Sequence, residues 1–172
     1  VHFSGSETLL FTETISLPHS ESDTLPPGFV DAMLEDLHLV LGLSYYKLFC
    51  PPVFKTDIAL TPLQAAFWNT MYTKGLGEFL YRNNIPQERI AQFTPQYMHV
   101  RATHSLETNL RKALVGIGGG KDSIVSLELL KEYVCEGFIV ETGKEYGVAR
   151  DVAKIAGVPL SAIRRTLDPQ LY

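Results

Sequence analysis

At 172 residues, with 45% hydrophobic and 20% charged positions, the chain has the make-up of a globular protein with one good core and room for a small second lobe. Fifteen Lys and Arg against nineteen Asp and Glu leave a formal charge of −4, which argues against general nucleic-acid affinity because no basic stripe exists to release counterions. Cys50 and Cys135 lie far apart with no C-x-x-C, and the five histidines lack metal-ligand spacing, so free thiols in a reducing compartment are expected rather than a disulfide or a zinc site. No apolar run approaches membrane-spanning length and no signal peptide is visible, so the expected location is the cytoplasm, away from membranes.

In chain order, residues 8–17 alternate and are rich in β-formers (Leu9, Phe11, Thr12, Thr14, Ile15), which predicts a strand. Residues 18–27 form a Ser/Pro/acidic loop. Phe29, Val30, Met33, Leu34, Leu37, Val40 and Leu41 recur at helical spacing, which predicts a helix to about Leu41, with Gly42 ending it. Pro51-Pro52 breaks the chain, and residues 53–60 read as a short strand. Thr61-Pro62-Leu63-Gln64 opens a helix with a capping Thr, Pro at the first helical position and Gln as its capping-box partner. Gly75 and Gly77 interrupt this helix, and residues 85–109 are irregular with a strand expected over 97–103. The second half is sharper: strand 113–117, helix 123–133, strand 137–140, helix 144–156 and strand 160–164 make a β-α-β-α-β unit. Right-handed crossovers predict that its three strands are parallel. The predicted fold class is therefore α/β, with an N-terminal α+β region over 1–110 on the substrate side and a partial nucleotide domain over 111–172.

The most informative string is Gly118-Gly119-Gly120-Lys121-Asp122-Ser123, between the first of these strands and its helix. Strand, glycine loop and helix in that order aim backbone N–H groups and the positive end of a helix dipole at one point, an anion site suited to phosphate. A Walker A loop needs glycine where Val115 stands and Ser or Thr where Asp122 stands. A dinucleotide fingerprint begun at Gly116 or Gly118 meets Lys121 or Ser123 at its third glycine. Both fail. The string fits S-G-G-x-D-S, the loop of the PP-loop ATP pyrophosphatases, with Gly118 in place of the first serine. Lys121 offsets phosphate charge, Ser123 offers a hydroxyl donor, and Asp122 either caps the helix or holds Mg²⁺.

Two more clusters fall on the same carboxyl edge of the sheet. Glu141 to Glu145 follow the second strand, a position that suits a base, Mg²⁺ ligand or ribose contact, and equally a turn and helix start capped by Thr142 or Gly143. Arg164-Arg165 end the third strand and suit phosphate or carboxylate recognition. In the N-terminal half, Ser44-Tyr45-Tyr46-Lys47 matches S-x-x-K but lacks the S-D-N and K-T-G elements of penicillin-binding enzymes. The tyrosines there read as half-buried aromatics or as the lining of a cleft. Three strands are few for a doubly wound domain, and the chain does not begin with Met. A fragment of a longer protein is expected, or a sheet completed by a partner, which leaves a homo-oligomer open.

Taken together, residues 41–47 (LGLSYYK), residues 75–83 (GLGEFLYRN), the glycine loop and residues 164–169 (RRTLDP) resemble successive landmarks of the MurL family, bacterial epimerases of a UDP-sugar dipeptide. The resemblance runs over most of the chain from about residue 40, and it implies the adenine nucleotide α-hydrolase-like fold of the PP-loop superfamily, with more of the ATPase domain following residues 164–169. It implies ATP and Mg²⁺ as cofactors and AMP and pyrophosphate as products. It also implies inversion of the terminal L-Glu of UDP-MurNAc-L-Ala-L-Glu through an acyl-adenylate, a step in peptidoglycan precursor synthesis. Carried to this sequence, Gly118 to Ser123 hold the pyrophosphate, Lys121 and Asp122 serve catalysis, and Asp122 takes Mg²⁺. Tyr45, Tyr46, Lys47, Tyr81, Arg82, Glu141, Arg164 and Arg165 contact the dipeptide substrate. Glu78, Glu141 and Tyr46 are the candidate bases. The alternatives are another PP-loop adenylating enzyme, of the tRNA-thiolating or amide-forming type, and an inactive nucleotide-binding module.

Overall fold

The computed structural model describes residues 2–3, 9–18, 25, 28–53, 55–96 and 111–172. Two units emerge, one of residues 1–21 with 106–172 and one of residues 22–105. The first 21 residues join the far end of the chain, because residues near position 15 pair with the last strand.

In the sheet unit, β1 (His2–Phe3) and β2 (Leu9–Leu10) pair antiparallel. The main sheet is built from β3 (Thr14–Ser16), β4 (Lys112–Gly116), β5 (Val134–Thr142) and β6 (Leu160–Thr166) in the order β3-β6-β5-β4. β4, β5 and β6 are parallel, with Gly116 opposite Phe138 and Glu141 opposite Arg164. β3 adds antiparallel to β6, pairing Ile15 with Arg165. The strand expected over 8–17 is therefore split, because Phe11 is buried and the Thr12 N–H turns aside to donate to the Asp168 carboxylate at 2.6 Å.

α4 (Lys121–Leu129) and α5 (Gly147–Ala156) are the crossovers. Val115, Ile117 and Ile139 from the strands meet Leu127 of α4 and the i,i+4 pair Ala149 and Ala153 of α5. α5 stops at Gly157, whose φ of 67° is the left-handed geometry that glycine adopts without strain, and Val158-Pro159 leads into β6. It begins at Gly147 rather than 144, because the Glu141 carboxylate takes the Tyr146 N–H at 2.9 Å and fixes the turn before it. α4 ends at Leu129, four residues short of expectation, where Tyr133 N–H closes a turn onto the Leu130 carbonyl.

The helical unit holds α1 (Phe29–Phe49), α2 (Pro62–Lys74) and α3 (Gly77–Arg82), so the strands of the expected N-terminal α+β region lie in the other unit. α1 runs through Gly42 to Phe49. Gly42 serves packing instead of termination, since a Cβ there would stand 3.0 Å from the Tyr72 hydroxyl oxygen. That hydroxyl donates to the Leu39 carbonyl at 2.8 Å. α2 opens with the expected capping box: Thr61 N–H donates to Gln64 Oε1 at 3.0 Å and Gln64 N–H donates to Thr61 Oγ1 at 3.3 Å. No strand forms among the described residues of 53–60. The strand expected over 97–103 lies outside the described residues. Leu39, Tyr46, Leu60, Trp68, Tyr72, Leu80 and Phe93 build the core, with Tyr72 edge-on to both Tyr46 and Phe93. Asn69 replaces a neighbouring strand for residue 93, accepting from its N–H at 2.7 Å and donating to its carbonyl at 3.1 Å.

Candidate functional site

The glycine loop leaves the carboxyl end of β4 and enters α4 with Gly120 as the residue before the first turn. No side chain caps this helix. The first-turn amides and the helix dipole therefore face outward with only main chain before them. Gly118 and Gly120 are exposed, and a Cβ built on either meets nothing within 4 Å. Gly119 differs. Its φ is +80°, and a Cβ there would lie 3.1 Å from Val148 Cγ1 and 3.3 Å from the Ala149 nitrogen. The middle glycine thus lets the loop rest on the first turn of α5, and the outer two leave the approach clear. A cleft of about 370 Å³ adjoins the loop, lined by Gly116, Gly118, Phe138, Val140, Tyr146 and Ala149 among others.

Lys121 and Asp122 are exposed, and neither side chain makes an ion pair or hydrogen bond among the described residues. Both remain available to a ligand, and Asp122 is not the helix cap. Ser123 is buried and its hydroxyl donates to the Gly120 carbonyl at 2.8 Å, so the donor expected to reach phosphate holds the loop to the helix. The Ser123 amide, in the first turn, is the group left to face an anion.

Glu141 ends the buried face of β5. Its Oε1 accepts from Tyr146 N–H at 2.9 Å and Arg150 Nε at 3.1 Å, and its Oε2 accepts from Arg150 Nη2 at 2.8 Å. These donors hold the carboxyl below the usual carboxylate range, the Arg150 guanidinium contributing most. A carboxylate so engaged is a weak proton acceptor, which removes the main attraction of Glu141 as a base. Arg165 is bidentate to Glu13, with Nη2 3.1 Å from Oε2. Arg164, beside it, is exposed and makes no ion pair among the described residues. Both arginines line a second cleft of about 380 Å³ with Glu141, Lys144, Glu145 and Tyr172.

The remaining candidates sit in the helical unit. Tyr45 is buried within α1. Tyr46 is spent twice, donating to the Pro51 carbonyl and accepting from Ala91 N–H, each at 2.9 Å, and burial pushes its phenol up. A phenol held in that way is part of a core and is no base. Lys47 is exposed. Tyr81 is exposed, and Arg82 pairs with Glu78 at 2.9 Å on the surface of α3. Cys50 and Cys135 are free thiols. The described residues hold no cluster of three potential metal ligands, and no helix among them is long and apolar enough to cross a membrane. Sequence reasoning missed Arg150 and Tyr146. Nothing in their local sequence marks them, since their role comes from facing the end of β5.

Fold and site together define an α/β protein with an open glycine loop at the carboxyl edge of a largely parallel sheet. The chain belongs to the MurL N-terminal domain family, whose family model matches residues 1–172. It is similar to proteins named UDP-N-acetyl-alpha-D-muramoyl-L-alanyl-L-glutamate epimerase from three bacteria. The Salinispora tropica protein is 36% identical over 94% of this chain and 36% of its own length. The Micromonospora sp. protein is 33% identical over 94% and 36%. The Xanthomonas oryzae pv. oryzae protein is 35% identical over 83% and 32%. The chain thus spans about a third of the length of these curated relatives. No solved structure matches it.

Proposed function

We propose that this chain is the part of a UDP-MurNAc-L-Ala-L-Glu epimerase that grips the phosphates of ATP, the nucleotide being consumed to AMP and pyrophosphate. The observation that carries the reading is the glycine loop, with two glycines open to solvent before a helix that no side chain caps. That shape suits a polyphosphate, because main-chain amides reach an anion only where no Cβ intervenes. The adjoining cleft, with Phe138, Val140 and Tyr146 on its wall, supports a ring-bearing nucleotide beside those phosphates.

Bound ATP would supply an activated substrate carboxylate, the acyl-adenylate, which removes the negative charge that otherwise opposes loss of the glutamate α-proton. The chain's own residues have narrower duties. The amides of Gly118 to Ser123 bind and orient the pyrophosphate portion. The Lys121 ammonium balances charge that grows there as the phosphate bond breaks. Asp122 fits Mg²⁺ by the chemistry of its donor: a single exposed carboxylate beside phosphates is how Mg²⁺ is commonly held, the rest of its shell coming from phosphate oxygens and water. Arg164 and Lys144 in the second cleft suit the carboxylates or diphosphate of the substrate.

The test is pyrophosphate release from ATP and Mg²⁺, with UDP-MurNAc-L-Ala-L-Glu as substrate, by the chain and by a protein of its relatives' length that contains it. Release that depends on this substrate, with D-glutamate appearing in it, supports the epimerase. Equal release with tRNA or with an amide-forming acceptor in its place overturns it. ATP binding without turnover in both proteins leaves a nucleotide-binding module.

A further inference from the structure

The geometry points to Glu141 and Arg150 as positioning residues for the glycine loop: their ion pair fixes the first turn of α5, the surface on which Gly119 rests. This rests on the phosphate-loop reading above and changes the role given to Glu141, from substrate contact to support.

The chain of contacts is short and continuous. Glu141 stands on β5, a strand held on both sides by parallel neighbours, so its position is set by the sheet. From there one carboxylate oxygen takes the N–H of Tyr146, the residue before the first turn of α5, and both oxygens take Arg150, one turn into the helix. The Thr142 hydroxyl adds a 3.0 Å hydrogen bond to the Tyr146 hydroxyl from the next position of the strand. Together these pin the amino end of α5 in rotation and in height. Val148 and Ala149 lie inside that pinned turn, and they carry the atoms that a Cβ on Gly119 would meet at 3.1 and 3.3 Å, closer than ordinary van der Waals contact. Gly119 sits at positive φ between the two glycines that face the ligand. A slackened α5 would therefore free the loop to leave the conformation in which its amides converge, and amide convergence is what an anion reads.

Glu141 is mostly buried while Arg150 is about one-third exposed, their side chains retaining 10% and 38% exposure. An acid at a strand end that only decorated the surface would have no need of three donors. The pair's expense is justified by what it holds, since misplacement of binding groups by about 1 Å can cost on the order of a hundredfold.

Affinity of the 172-residue chain for inorganic pyrophosphate, in the presence of Mg²⁺ and by titration calorimetry, tests this. Glu141→Gln and Arg150→Met are each expected to weaken binding on the order of tenfold or more while the proteins stay folded by circular dichroism. Arg150→Lys, which keeps the charge but loses the two-pronged grip, recovers part of the loss. Glu136→Gln, on the same strand but hydrogen-bonded to Ser161 instead of α5, leaves binding unchanged and controls for loss of a surface charge. The decisive arm is Glu141→Gln in a Gly119→Ala background. If the pair acts through the loop, the second change adds little once Gly119→Ala has lifted the loop from α5. Wild-type affinity in folded Glu141→Gln and Arg150→Met, or full additivity with Gly119→Ala, overturns the positioning role and leaves the loop reading standing. Absence of pyrophosphate and ATP binding in the wild-type chain overturns the loop reading itself.

Discussion

The helical unit and the sheet unit use their polar groups in opposite ways. In the helical unit the hydroxyls of Tyr72 and Tyr46 are turned inward and engaged: Tyr72 on the Leu39 carbonyl, Tyr46 between the Pro51 carbonyl and the Ala91 amide. Burial pushes both phenols up in pKa, since ionisation there would strand a charge among aromatic rings. In the sheet unit the carboxyl edge keeps Lys121, Asp122 and Arg164 exposed and, among the described residues, without an ion pair. The difference teaches that residue type alone does not make a site. Tyrosines suit a cleft and a core equally, and only their hydrogen-bond partners separate the two.

Truncation in the core should have the largest effect. Trp68→Ala removes a side chain packed on Phe67 and Phe93 and is expected to destabilise the helical unit by about 3–5 kcal/mol, read as a lower urea midpoint by circular dichroism. A loss under about 1 kcal/mol would break the contrast, because Trp68 would then be surface in all but accessibility. Next comes Lys121→Ala, expected to lower substrate-dependent pyrophosphate release on the order of a hundredfold in a protein of the relatives' length. Its stability should stay within about 0.5 kcal/mol of wild type, as befits an exposed residue without a partner among the described residues. Tyr46→Phe sharpens the same contrast from the other side. It leaves the Ala91 amide without its acceptor and should cost about 1–3 kcal/mol of stability with no effect specific to substrate affinity.

Acid should separate the units more gently. Glu141 and Asp168 are both held below their ordinary carboxylate pKa, Glu141 chiefly by Arg150 and Asp168 chiefly by the Thr12 amide. A depressed folded-state pKa contributes stability that is present above the unfolded value and is lost as pH falls through the folded one. Thermal unfolding should therefore move to lower temperature as pH drops below about 4.5, and Glu141→Gln should flatten part of that slope. The smallest change is Arg82→Ala. It breaks an exposed i,i+4 pair with Glu78 and should shift stability by only about 0.3–0.5 kcal/mol in denaturant titration.

How legible each feature was follows from how local its cause is. The β-α-β-α-β order and the glycine loop could be read because strand, loop and helix signals lie within a few residues of one another. The capping box at Thr61 and Gln64 was readable for the same reason. The end of α1 was misread at Gly42 because a glycine that stops a helix and a glycine that admits a neighbouring tyrosine look alike until Tyr72 is placed. The start of α5 was misread because its cause, Glu141, sits on another element. Least visible was the pairing of Ile15 with Arg165, which no local pattern could announce. Among site residues, Tyr45 and Tyr46 were open to two readings, half-buried aromatics or a cleft lining, and both are buried, whereas Arg150, the partner of Glu141, drew no reading from the sequence.

The antiparallel strand at the edge of the main sheet has a consequence for how the protein is made. Among the described residues β3 pairs with β6 alone, and the Thr12–Asp168 and Glu13–Arg165 bonds join residues more than 150 positions apart. During synthesis β3 must wait for about 150 further residues before β6 emerges to pair with it, while residues 22–105 meet the core partners of their own unit earlier. Contacts of such long sequence separation form slowly. The biosynthetic clock therefore favours a nascent chain in which residues 22–105 are finished while β3 is still searching.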